Sequence, residues 1–102
     1  PPTPTPTPTP NCNLRPIGIG IFDGQVVDQN GNDLKGGARL QLFWYGCLVA
    51  DVGTGGKSNF VIPGLAANTR YFYIVTAPNF NPGAGSFTTD ALGNHTENPQ
   101  VR

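Results

Sequence analysis

The sequence predicts an all-β domain: a small antiparallel β-sandwich of the immunoglobulin-like or prealbumin-like kind, with about seven or eight short strands behind an extended tail. Three observations predict it. Turn signals recur every 8–12 residues or so, many of them among 14 glycines and 11 prolines. Between them lie short runs in which apolar and polar residues alternate, the period of a half-buried strand. No window of about twelve residues carries the apolar period of a helix.

The elements follow in order. Pro1–Pro10 reads PPTPTPTPTP. Alternating proline removes backbone donors and fixes φ, which predicts an extended polyproline II rod. Residues 1–16 form the tail or linker and 17–102 the folded domain. Ile17-Gly18-Ile19-Gly20-Ile21 alternates a large apolar side chain with none, and predicts a strand with one apolar edge. Phe22–Asp28 continues as a strand with Phe22, Gly24 and Val26 on one side. Asp28–Asp33 is a turn centred on Asn30-Gly31. Ala38–Trp44 is half-buried, with Leu40, Leu42 and Trp44 facing in. Tyr45-Gly46 makes a bend, Cys47–Val52 a strand and Gly53–Lys57 a glycine-rich turn.

Ser58–Ile62 is a strand closed by Pro63-Gly64. Asn68–Ala77 holds the strongest β signal, the aromatic and β-branched run Arg70-Tyr71-Phe72-Tyr73-Ile74-Val75-Thr76. Pro78–Gly85 is a long loop, Ser86–Thr89 a strand and Asp90–Asn94 a turn. Thr96–Val101 is the last strand.

Composition narrows the function. Charged residues are 12% of the 102, about half the usual share, and six basic residues cancel six acidic ones. No basic patch points to nucleic acid, and no apolar run approaches the ~20 residues of a membrane span. No leader is visible and there is no methionine, which predicts that the chain starts inside a longer precursor, either by processing or as one part of a longer protein. Cys12 and Cys47 fit neither a redox nor a zinc spacing, and in a secreted chain they predict a disulfide. Two buried thiols, or pairing with another chain, are the alternatives.

Ile21–Ala77 contains Gly24-Gln25-Val26-Val27-Asp28, Asn30-Gly31, Leu34, Gly37-Ala38, Leu40 and Leu42, then Phe60, Ile62, Gly64-Leu65, Asn68, Tyr71 and Ala77. This pattern resembles the carboxypeptidase-regulatory-like and Cna-B-like β-sandwich repeats of bacterial surface proteins. The resemblance implies the sandwich fold and speaks little of function. Asn68 stands where such repeats usually carry glycine. The lysine, asparagine and acidic residue of isopeptide-forming relatives have no clear counterparts.

Candidate sites are few. The one histidine, His95, reads as an exposed loop residue, and the scattered carboxylates form no local acid–base pair, so no catalytic residue is expected. Asp28-x-Asn30-x-Asn32 opens like a calcium loop but has Asp33 where glycine should follow and no closing glutamate. The expectation is no metal and no cofactor. Thr3, Thr5, Thr7 and Thr9 sit between prolines as in O-glycosylated stalks, and Asn94-His95-Thr96 is an N-linked sequon. Tyr71 and Tyr73 are candidates for stacking on sugar.

These features predict a secreted, non-catalytic structural subunit. It assembles head to tail with copies of itself, with Ile17, Ile19 and Ile21 as an exchanged strand entering the next subunit's sheet edge. The alternatives are a spacer or adhesive repeat of a larger surface protein, and a carbohydrate-binding module on a Pro-Thr linker that takes polysaccharide as partner.

Overall fold

In a computed structural model, residues 12–34, 36–54 and 58–102 are described. They form two sheets stacked face to face. β1 (Gly20–Gln25), β4 (Asn59–Leu65) and β7 (His95–Thr96) make a three-stranded sheet in the order β4-β1-β7. β2 (Arg39–Trp44), β3 (Cys47–Gly53), β5 (Arg70–Thr76) and β6 (Gly83–Thr88) make a four-stranded sheet in the order β3-β2-β5-β6. The predicted all-β sandwich is the observed architecture. The tail over 1–10 with Thr3, Thr5, Thr7 and Thr9, and residues 55–57 of the glycine-rich turn, lie outside the described residues.

Alternation builds the interior. Leu40 and Leu42 of β2, Phe60 and Ile62 of β4, and Tyr71, Tyr73 and Val75 of β5 all face the space between the sheets and are buried. Phe22 of β1 sits at the centre with no exposed surface. Its ring lies 4.9 Å from Phe60 and 4.4 Å from Phe87, close enough for the edge-on and tilted contacts aromatic rings favour. Trp44 packs partly buried against this cluster.

Local chemistry fixes the connections. Tyr45 and Gly46 have φ of 43° and 83°, the paired positive values of a two-residue type I′ hairpin joining β2 to β3. The turn at Asp28–Asp33 is held by the Asp28 carboxylate, which accepts from Asn30 N–H at 2.8 Å and Asn32 N–H at 3.0 Å. These residues thus satisfy their own turn. β4 runs on through Pro63 and Gly64 to Leu65, beyond the predicted stop. It is an edge strand of its sheet, where a missing N–H costs little.

Three expectations change. The predicted strand over 17–21 begins only at Gly20; before it, the Gly18 N–H donates to the Gly64 carbonyl at 3.3 Å. The predicted loop Pro78–Gly85 is shorter, because β6 starts at Gly83. The last strand shrinks to His95–Thr96, and it pairs parallel to β1, not antiparallel. From there to Val101 the chain continues along β1. Glu97 N–H donates to the Asp23 carbonyl, Val27 N–H to the Pro99 carbonyl and Val101 N–H to the Val27 carbonyl. Asn98 supplies its side-chain oxygen to Gln25 N–H at 3.0 Å. Gly24 permits this approach: a Cβ there would lie 1.8 Å from the Glu97 carbonyl oxygen.

Cys12 and Cys47 are disulfide-bonded, 35 positions apart in sequence and with 5.6 Å between their Cα atoms. The bond ties the short 3-10 turn Cys12–Leu14 to the start of β3, beside the Tyr45-Gly46 hairpin.

Candidate interaction surfaces

The N-terminal segment carries the most exposed apolar side chains of the domain. Leu14 is 74%, Ile17 82% and Ile19 94% exposed, and Ile21, on the outer face of β1, is 40% exposed. The N–H groups of Ile17 and Ile19 have no hydrogen-bond partner among the described residues. Val61 extends this apolar strip on the outer face of β4.

A second apolar surface covers the outer face of the four-stranded sheet. Phe43 of β2 stands opposite Phe72 of β5, Leu48 of β3 opposite Phe43, and Ser86 of β6 opposite Phe72. The Tyr45 ring meets Phe72 edge-on at 6.4 Å. The Arg70 guanidinium lies 5.4 Å over the Phe72 ring and donates to Ser86 Oγ at 3.2 Å. Tyr45 and Leu48 are about half exposed, Phe72 and Ile74 somewhat less. Arg39 and Asp51 pair beside this surface, and the Arg39 hydrogen bond holds the Asp51 carboxyl below its usual range.

Tyr71 and Tyr73 are not on that surface. Both are buried, so neither offers a ring face to sugar. The strand is aromatic at both parities, and the phenols go inward because each finds a partner at the rim of the core. Tyr71 Oη accepts from Ala66 N–H at 3.1 Å, and Tyr73 Oη donates to the Glu97 carboxylate. Phe72 has no polar atom to satisfy; it stays outside, under Arg70. The sequence offers Tyr45 as a stacking aromatic and sets Phe43 opposite in facing to Leu40 and Leu42, but Phe72 and the grouping of all three on one surface were not read from it. The signal was the strict two-residue period from Leu40 and Leu42, which turns Phe43 outward.

His95 is not an exposed loop residue. Its ring stacks on Phe87 at 4.3 Å with 2° between the planes, its Nε2 lies 3.1 Å from Glu97 Oε1, and its side chain is 26% exposed. The i, i+2 spacing of His95 and Glu97 on an extended segment places both on one side. Burial, then the neighbouring Glu97 carboxylate, push the Tyr73 phenol well above its ordinary value, so it stays a neutral donor. No serine or threonine hydroxyl bonds to His95 among the described residues. The arrangement clasps the C-terminal segment to β5. It borders a cleft of about 480 Å³ lined by Tyr73, Gly83, Ala84, Glu97, Gln100 and Arg102.

Asn94 of the sequon is exposed, and its amide oxygen accepts from Ile21 N–H at 2.9 Å. Glycan attachment uses the amide nitrogen and leaves that oxygen in place. The loop before it is held by Asp90, whose carboxylate accepts from Leu92 and Asn94 N–H; these bonds hold it below the usual carboxylate range. No described helix is long and apolar enough to cross a membrane. Among the described residues no group of three or more histidine, cysteine, aspartate or glutamate side chains is placed to hold a metal ion. No family model matches this chain, and neither does any curated protein.

Proposed function

We propose that the chain is a structural subunit of an extracellular filament or surface assembly. It polymerises through its N-terminal segment and carries sugars on the threonines of its Pro-Thr tail. One observation carries the reading. Ile17 and Ile19 are 82% and 94% exposed, on a segment whose alternate N–H groups have no partner among the described residues. Side chains of this size left in water on an unpaired backbone suit a strand that completes itself on another molecule. The disulfide supports a setting outside the reducing interior of the cell.

A receiving edge is available. β3 and β6 end the four-stranded sheet, and no described strand pairs with the outer side of either. A donor segment on one part of the domain and an acceptor edge on another give a heterologous contact, which grows as an open fibre unless the rotation closes a ring.

Sedimentation velocity and negative-stain imaging of the purified full chain test this. Fully burying an isoleucine side chain stabilises by about 1.5–3 kcal/mol. Losing two therefore weakens the contact by roughly a hundredfold or more, since ~1.4 kcal/mol is tenfold. The wild-type chain is expected to form a concentration-dependent series of oligomers or fibres. Ile17→Asp/Ile19→Asp is expected to stay dispersed with an unchanged far-UV spectrum. Monomeric wild-type protein at high concentration, or fibres of normal length from the variant, would refute the reading.

A further inference from the structure

The aromatic surface on the four-stranded sheet lies beside the point where the Pro-Thr tail is anchored. We propose that the chain's own tail, residues 1–10, docks across Tyr45, Phe43 and Phe72. This goes beyond the assembly reading and does not depend on it.

Cys12 is fixed to Cys47, which pairs with Trp44 across the Tyr45-Gly46 turn. The tail is therefore tethered at the hairpin tip, where Tyr45 stands against both Trp44 and Phe72. Residues 1–10, as the polyproline II rod their sequence predicts, span about 31 Å. Four strands at ~4.8 Å spacing are crossed in about 14 Å, so the tail is long enough.

The chemistry matches. Proline-rich rods dock on exposed aromatic rings because the rod is already stiff and loses little entropy on binding. Every three-residue turn of this tail carries one or two proline rings. Tyr45 and Phe72, set at 67° to one another, make a notch for such a ring. The tether supplies a local concentration of order millimolar, so an intrinsic affinity near ~0.1 mM leaves the tail about nine-tenths docked. A tail from a second molecule has no such advantage in dilute solution.

NMR of the full chain at dilute, dispersed concentration tests this. Thr3, Thr5, Thr7 and Thr9 supply the backbone amides between the prolines. Their order parameters are expected near those of the domain, toward ~0.85, and are expected to fall below ~0.6 in Tyr45→Ser/Phe72→Ser. Proline ring protons are expected to show Overhauser contacts to the Tyr45 and Phe72 rings. Both variant positions are exposed, and retained amide dispersion elsewhere shows that the fold survives. Threonine amides as mobile in the wild type as in the variant would overturn the proposal. So would contacts seen only between differently labelled molecules, which assign the surface to another copy's tail. Soluble polysaccharide that shifts Tyr45 and Phe72 while the tail stays mobile would assign it to sugar. Loss of polymerisation alone leaves these readouts unchanged, so the two readings fail separately.

Discussion

Removing the Cys12–Cys47 bond isolates one large contribution to stability. The bond closes a loop of 35 residues. On the chain-entropy relation, a cross-link over that length lowers the unfolded chain's entropy by about 13 cal/mol/K, or ~4 kcal/mol at 25 °C. A domain of this size holds roughly 5–15 kcal/mol in total, so the unbridged chain still folds but with about a quarter to four fifths of its margin gone. At about 4–8 °C per kcal/mol, the melting temperature falls by roughly 15–30 °C.

The assay is thermal and urea unfolding of wild type, Cys12→Ser, and Cys12→Ser/Cys47→Ala. Cys12 is exposed and Cys47 is buried opposite Trp44, so the single serine leaves the packing around Cys47 intact. The single variant is expected to lose nearly as much as the double, because either change opens the same loop. A loss below ~1 kcal/mol in both would refute the loop-closure argument. A double variant far worse than the single would shift the effect to packing at Cys47.

The register of β5 gives a paired test. Tyr71→Ala is expected to cost about 3–5 kcal/mol, as large aromatic truncations in a core do, whereas Phe72→Ala one residue on is expected to cost under ~1.5 kcal/mol; denaturant midpoints read both, and reversed costs would place the strand a residue out of register. Tyr73 ties stability to alkaline pH. Its phenol is raised above the ordinary ~10 by burial and by Glu97, so above pH 10 the unfolded chain ionises first and stability falls as pH climbs. Tyr73→Phe is expected to flatten that decline in unfolding curves between pH 9 and 11, and an unchanged slope would count against the buried donor.

Much of the fold was legible because period-two burial is a local signal. Leu40, Leu42, Phe60 and Ile62 each alternate with polar or surface residues, so their inner face reads from the sequence alone. β5 was legible as a strand but not in its facing. Tyr71-Phe72-Tyr73 is apolar at both parities, and the choice depends on Ala66 and Glu97, partners 5 and 24 residues away. The parallel β1–β7 pairing was equally hidden. It rests on Gly24 leaving room for the Glu97 carbonyl and on Asn98 lending its side chain, neither of which has a local pattern. His95 looked solvent-exposed because its stacking partner, Phe87, lies on another strand. The shortfall of the 17–21 strand has the same cause. The alternation of isoleucine and glycine shows what the segment can pair with, while pairing itself needs an edge; among the described residues its own domain pairs Gly20 and Ile21 with β4, and of the three residues before them engages only the Gly18 N–H.

The central claim is that the isoleucine segment finds its strand partner on a neighbouring molecule. Amide hydrogen exchange at Ile17 and Ile19, compared between dispersed and sedimented protein, tests it most directly. Fast exchange in the dispersed chain and strong protection in the sedimented material are predicted. Equally fast exchange at both positions in sedimented protein would contradict it.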